Sequence, residues 1–244
     1  MNLQELMGFI FTITLIFPII IIISLRLYRF KSFLALGIYY LLGFCDDLML
    51  QGYIQVSADF RRIYAVTNTL LDIPLLLTFL SYFSPASIIS KRMKSLILVF
   101  IAFEILVTTI VGFDRNGLTI IIAPELAIIL FFCGWFFIRH IKIAIAHGKA
   151  IGKAVMTASL LFAFGCYTLM YIMYYILKTQ NTTDVFIIYL ISSSLSVIAM
   201  SAGLLIENKR IKKLEELKIT RKELKDIYST SNMKKKLSGK SAPQ

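Results

Sequence analysis

The chain has 244 residues, 58% of them hydrophobic, with a mean hydropathy of +0.78 and a net charge of +12. A soluble domain carries roughly 45–50% apolar residues, and a core of this length cannot hide the excess from water. A soluble globular protein is excluded, and with it most soluble chemistry.

A helix crosses the hydrocarbon layer with about 20 apolar residues. Seven stretches meet that length: Leu6–Leu27, Phe33–Tyr53, Ile63–Phe83, Ser95–Phe113, Leu118–Ile138, Ala154–Leu177 and Val185–Ile206. The first follows a short polar start with no basic n-region and no small-residue cleavage site, so it reads as a retained helix. The third is the least regular, since it carries Asn68, Asp72 and Pro74. The expected fold is all-α: a polytopic seven-transmembrane helix bundle over residues 1–206. Short loops are expected, the longest at the inner end between spans five and six.

Basic residues sort to one side of these spans. Arg26, Arg29 and Lys31 follow span one, Lys91, Arg92 and Lys94 follow span three, and Arg139, Lys142, Lys149 and Lys153 follow span five. The opposite side holds Arg61, Arg62, Arg115 and Lys178. Short loops rich in Lys and Arg stay in the cytoplasm. This predicts the N-terminus outside, the C-terminus in the cytoplasm, and a multi-pass protein of the plasma membrane, the bacterial inner membrane above all.

Past the last span, residues 207–244 hold twelve Lys and Arg against five Asp and Glu. Most of the net charge lies there, so it does not signal nucleic acid. Residues 207–228 read as a basic amphipathic cytoplasmic helix, with Ile206, Leu214, Leu217, Leu224 and Ile227 on one stripe. Its expected contacts are the anionic inner leaflet and membrane lipids or a cytoplasmic signalling partner. Residues 229–244, rich in Lys and Ser with Gly239 and Pro243, read as a disordered tail.

Cys45, Cys133 and Cys166 all fall within spans and read as free thiols. Asn181-Thr182-Thr183 matches a glycosylation acceptor in an outer loop.

The polar groups at membrane depth carry the functional signal. Asp46 and Asp47 fall in the outer half of span two, Asp72 and Glu104 near the middle of spans three and four, and Glu125 in the outer part of span five. Each costs about 2.5–3.5 kcal/mol to insert, so such residues face a protein interior or a water-filled cavity. Tyr64, Asn68 and Asp72 recur every fourth residue and share a face of span three. Span six brings Tyr167, Tyr171, Tyr174 and Tyr175 into its outer half, and span seven carries Ser192, Ser193, Ser194 and Ser196 at middle depth. No Lys or Arg shares that depth. The acids must then carry a proton and donate hydrogen bonds, or hold a cation. Alternatively, they fix helix packing through Ser, Thr and backbone partners.

The predicted ligand site is Asp46, Asn68, Asp72, Glu104, Glu125, Tyr167, Tyr171, Tyr174 and Ser193. Adjacent residues on a helix point about 100° apart, so one of Asp46 and Asp47 is expected to line the cavity, Asp46 preferred. Ile73-Pro74 after Asp72 and Pro124 before Glu125 set a carboxylate beside a proline, which frees a backbone carbonyl. That pairing suits a cation or polar ligand; a plain kink accounts for it equally.

Other chemistries lack their residues. A retinal Schiff base needs a Lys in the last span, and Val185–Ile206 has none. His140 and His147 fall in the expected inner loop after span five, so no imidazole is expected at membrane depth, and no cofactor is expected. A phosphate-binding loop, a dinucleotide fingerprint and an internal repeat are also missing.

Phe44-Cys45-Asp46-Asp47-Leu48-Met49-Leu50 resembles the Gly-Asp-x-Leu-Leu segment of the bacterial lysoplasmalogenase-like membrane proteins. That resemblance implies an intramembrane lipid hydrolase. It covers under a tenth of the chain, and Gly165-Cys166-Tyr167-Thr168-Leu169 lacks the acidic residue of the family's second motif. Three functions follow from the sequence: a receptor-like or sensory protein with an outward-facing acidic and tyrosyl pocket, a carrier for protons, cations or a small cationic solute, and the intramembrane lipid-modifying enzyme. Inner span halves nearly bare of acids favour a dead-end pocket over a through-path.

Overall fold

A computed structural model describes residues 3–84, 87–112, 115–177 and 182–238. Lys178, Asn181 and residues 239–244 lie outside the described residues, as do the side chains of Tyr175, Asp184 and Ile227.

Apolar runs of this length close their backbone hydrogen bonds internally, because hydrocarbon offers no other partner. The result is seven helices and, among the described residues, no strand: α1 Leu3–Ser24, α2 Lys31–Leu50, α3 Ala58–Leu80, α4 Ser87–Val111, α5 Arg115–His147, α6 Ile151–Tyr171 and α7 Thr182–Ser238. Each contains a segment long and apolar enough to cross a membrane. The protein is a multi-pass membrane protein. α7 packs between α1 and α6, α5 on α6, and α3 among α2, α4 and α5. α4 turns Leu98, Val99, Ile105 and Ile110 outward, a face suited to lipid.

Local chemistry sets several helix ends. The Ser57 hydroxyl accepts from the Phe60 N–H at 3.3 Å and caps α3, with Asp59 in the first turn. Pro18, Pro74 and Pro124 sit inside α1, α3 and α5 without ending them. α6 passes into a π-helical turn over Ile172–Ile176.

The inner connection between spans five and six departs from expectation. α5 runs on to His147, Gly148 stops it at φ 60, and α6 begins at Ile151. Three residues therefore link spans five and six, fewer than the seven, 51–57, between α2 and α3. The apolar period of span five continues through Ile141, Ile143 and Ile145, and this carries the helix past its basic residues. His140 and His147 accordingly lie on α5 and not in a loop. α7 likewise continues ten residues beyond Tyr228, to Ser238.

The closest helix pair is α6 with α7. A Cβ on Gly152 would stand 2.7 Å from the Glu207 backbone nitrogen, and one on Gly203 would stand 3.1 Å from the Met156 nitrogen. Small residues let membrane helices approach this closely. In the same seam the Ser159 hydroxyl donates to the Ser196 carbonyl at 2.7 Å, and the Ser196 hydroxyl to the Ser159 carbonyl at 2.8 Å. Gly152→Leu should cost roughly 1–3 kcal/mol by overpacking, read as a lower unfolding temperature in detergent. Gly134 has open space where its Cβ would sit, so Gly134→Ala should stabilise by up to about 1 kcal/mol through helix propensity.

Candidate functional site

A cavity of about 270 Å³ lies among α1, α2, α3, α6 and α7, toward the bundle end that holds the start of α1 and the α2–α3 connection. Helical register explains its walls. Tyr39 and Asp46 are seven residues apart on α2, as are Tyr40 and Asp47, so each pair shares a face about 10 Å apart along the axis. Asn68 and Asp72 share a face of α3; Phe186, Tyr189, Ser193 and Ser196 share one of α7. All ten residues line the cavity. Phe11 from α1 and Tyr167 from α6 complete it.

Its carboxylates differ in what they touch. Asp47 is 6% exposed and accepts a hydrogen bond from the Thr12 hydroxyl, which also donates to the Gly8 carbonyl at 2.9 Å. Asp47 therefore ties α2 to α1. Asp46 and Asp72 are half-buried and have no hydrogen bond or ion pair with any described residue. The Asn68 side chain is equally without a partner there. The expectation that one of the adjacent acids lines the cavity is corrected. Both do, because the lining wraps more than 100° around α2.

The other expected site residues divide. Tyr167 and Ser193 line the cavity beside Asp46, Asn68 and Asp72. Glu104 and Glu125 do not line it, although they are 4% and 3% exposed. They stand behind α3: Glu125 is within electrostatic range of Asp72 and Glu104, and Asp72 within range of Asp46 and Glu104. One oxygen of Glu104, Oε1, is fully buried with no partner. The Tyr171 hydroxyl turns away and donates to the Thr119 carbonyl at 3.0 Å, and Tyr174 is 40% exposed. Tyr64 also leaves the predicted face, donating to the Leu42 carbonyl at 3.0 Å. Of the span-seven serines, Ser194 bonds back to the Leu190 carbonyl at 2.8 Å and Ser196 joins the α6 seam. Ser193 lines the cavity with its hydroxyl hydrogen-bonded to Tyr189.

No family model, curated protein or solved structure matches the chain.

A second polar cluster sits at the other end of the bundle, where the sequence placed the start of the basic amphipathic helix. Glu207 is 0% exposed. Arg210 Nε and Nη2 donate to its oxygens at 2.9 and 2.5 Å, and the Tyr82 hydroxyl donates at 2.5 Å. Lys153 donates to the Tyr82 carbonyl at 3.4 Å and stands 4.2 Å from the centre of its ring. Nearby His140 is 5% exposed, between the rings of Phe83 and Phe136. An acid thus stands at this end of the bundle too, just outside the span limit read from the sequence. Glu207 lies one residue past the apolar run that set the span limit, and the signal available was its i, i+3 spacing to Arg210.

Between cavity and cluster the described interior is uncharged and mostly apolar, with the hydroxyls of Thr157 and Ser201 bonded to their own helices. Ile73, Leu76, Leu77 and Leu80 of α3 meet Met156 of α6 and Met200 and Leu204 of α7, none more than 2% exposed.

Cutting the inner cluster on its two sides should give unequal results. Arg210→Ala leaves a buried carboxylate with one neutral donor and should cost roughly 2 kcal/mol, below the fully buried case because Arg210 is 34% exposed. Glu207→Gln removes the charge itself and should cost less than half as much in the same thermal unfolding assay.

Proposed function

We propose that the protein is a receptor-like, sensory membrane protein of the bacterial inner membrane, with its N-terminus outside and its C-terminus in the cytoplasm. A small polar or cationic solute enters the cavity from outside. The movement passes down α7 to the charged helix beyond Glu207, which meets a cytoplasmic partner or the anionic inner leaflet.

One observation carries this reading. α7 is a single helix that supplies Phe186, Tyr189 and Ser193 to the cavity, Glu207 to the inner cluster, and Leu214, Leu217 and Leu224 to an uncovered apolar stripe. A displacement at one end must be felt at the other, since a helix is stiff along its axis. The basic residues gathered at one end of the bundle, in the α1–α2 connection and on the adjoining ends of α2, α4, α5 and α6, support the orientation.

The carrier reading draws on Glu104 and Glu125, which extend the acidic groups past the cavity. Against it stands the apolar layer of α3, α6 and α7. About 15 Å of helix separates Asp72 from Tyr82 by rise alone, and the side chains pointing inward over that length are Ile73, Leu76, Leu77 and Leu80.

Filling the cavity should imitate a ligand. In a spin-labelled protein carrying probes at Lys94 and Leu217, Ala163→Trp should shift the inter-probe distance by a few ångströms. An unchanged distance would refute the sensory reading. Cation or proton flux into liposomes that disappears with Asp72→Asn would establish the carrier in its place. For orientation, a C-terminal green fluorescent protein fusion should glow and a C-terminal alkaline phosphatase fusion should stay inactive; the reverse pattern would overturn the assignment.

A further inference from the structure

We infer that the cavity recognises a small organic ammonium ion, an inference that rests on reading the cavity as a ligand pocket. The charges of the lining come first. It holds three carboxylates, Asp46, Asp47 and Asp72, and among the described residues no Lys, Arg or His. Thr12 serves Asp47, whereas Asp46 and Asp72 have nothing to bind. An anion would be repelled, and a neutral solute would leave Asp72 without a counter-charge in a low dielectric, Asp46 having only Arg61 within electrostatic range.

Tyr40 is an independent sign that the site awaits a ligand. It is 5% exposed and lines the cavity, yet its hydroxyl makes no hydrogen bond with any described residue. Buried Tyr hydroxyls normally find a partner. Tyr40 borders the cavity, and a bound molecule with an N–H or O–H group there would give its hydroxyl a partner.

Aromatic faces decide between kinds of cation. Tyr189 is surrounded by Tyr167, Phe186 and Phe11, with ring centres 5.9, 6.2 and 6.5 Å away. On the α2 side Tyr39 and Tyr40 meet edge to face at 5.3 Å. Ring faces attract alkylammonium groups within about 6 Å, the arrangement that recognises quaternary amines. A divalent metal instead needs several oxygen, nitrogen or sulfur donors converging on one point, and no group of three His, Cys, Asp or Glu able to hold one occurs among the described residues. Size narrows the class further. At ~30 Å³ per water, 270 Å³ equals about nine waters, room for an amine of a few carbons.

The test uses the purified full-length protein in nanodiscs and follows its thermal unfolding. Probes are choline, butylammonium, the uncharged choline isostere 3,3-dimethylbutan-1-ol, and potassium and magnesium chloride at equal ionic strength. Choline or butylammonium should raise the unfolding temperature saturably, and the isostere should not. Asp72→Asn should weaken the effect at least tenfold, and so should Tyr189→Leu. Tyr40→Phe, which keeps the ring and removes only the unsatisfied hydroxyl, should unfold at least as late as the parent without ligand. If the isostere matches choline, or magnesium alone acts, the ammonium assignment is wrong while the pocket stands. If neither ammonium probe acts at millimolar concentration, the assignment is also wrong. If an ammonium ion binds and the Lys94–Leu217 probe distance does not move, this inference holds and the sensory role fails.

Discussion

Hydrocarbon supplies no hydrogen-bond partner, and the arrangement of this bundle follows from how each polar group meets that constraint. Most hydroxyls settle it within one helical turn: Thr67, Thr108, Thr109, Thr168 and Ser201 donate to the carbonyl four residues back. A second set settles it between helices and so fixes which helices touch. Ser159 and Ser196 lock α6 to α7, Thr12 and Asp47 lock α1 to α2, Tyr64 holds α3 to α2, and Tyr171 holds α6 to α5. Once these are assigned, Asp46, Asp72, Asn68 and Tyr40 still have no hydrogen bond to any described residue, and all four border the same cavity; Glu104 Oε1 and the ring nitrogens of His140 are the buried atoms without a partner away from it.

The seam between α6 and α7 gives the bundle its fixed reference. Gly152 and Gly203 bring the two backbones within van der Waals contact, and Glu207 sits where that contact ends. Arg210 and Tyr82 then hold Glu207, with Lys153 over the Tyr82 ring. Hence α7 is pinned midway, with pocket residues on one side and an uncovered charged extension on the other. A helix held at one point and loaded at one end tilts about that point, which is the mechanical basis of the sensory proposal.

The seven spans were legible because a run of some 20 apolar residues is an unambiguous signal, and the structure places a helix on each. Helix ends were less legible. Ile141, Ile143 and Ile145 kept α5 going past Arg139, where charge alone implied a loop. Within the site, Asp46, Asn68, Asp72, Tyr167 and Ser193 could be read from depth and spacing. Tyr39, Tyr40 and Tyr189 were passed over, although Tyr39-Tyr40 stands seven residues ahead of Asp46-Asp47 on the same face. Depth could not separate Glu104 and Glu125 from the cavity residues, because membrane depth fixes the level of a side chain and leaves its direction around the bundle open. Tyr171 and Tyr174 failed for the same reason, one turned to α5 and the other outward.

The two polar clusters also differ in how their charge is balanced, and that difference supports the roles proposed for them. At the inner end a carboxylate meets Arg210, a tyrosyl hydroxyl and the nearby Lys153, so the charges compensate within the chain. Such an assembly holds its geometry whether or not anything binds. In the cavity Asp72 has no basic group within electrostatic range and Asp46 only Arg61, and leaving them so costs stability that apolar residues of similar size would have spared. Natural chains give up stability at sites where binding or activity requires it. The imbalance is therefore best understood as the half of an interaction whose other half arrives with the ligand, and the compensated inner cluster as the fixed point against which that arrival is registered.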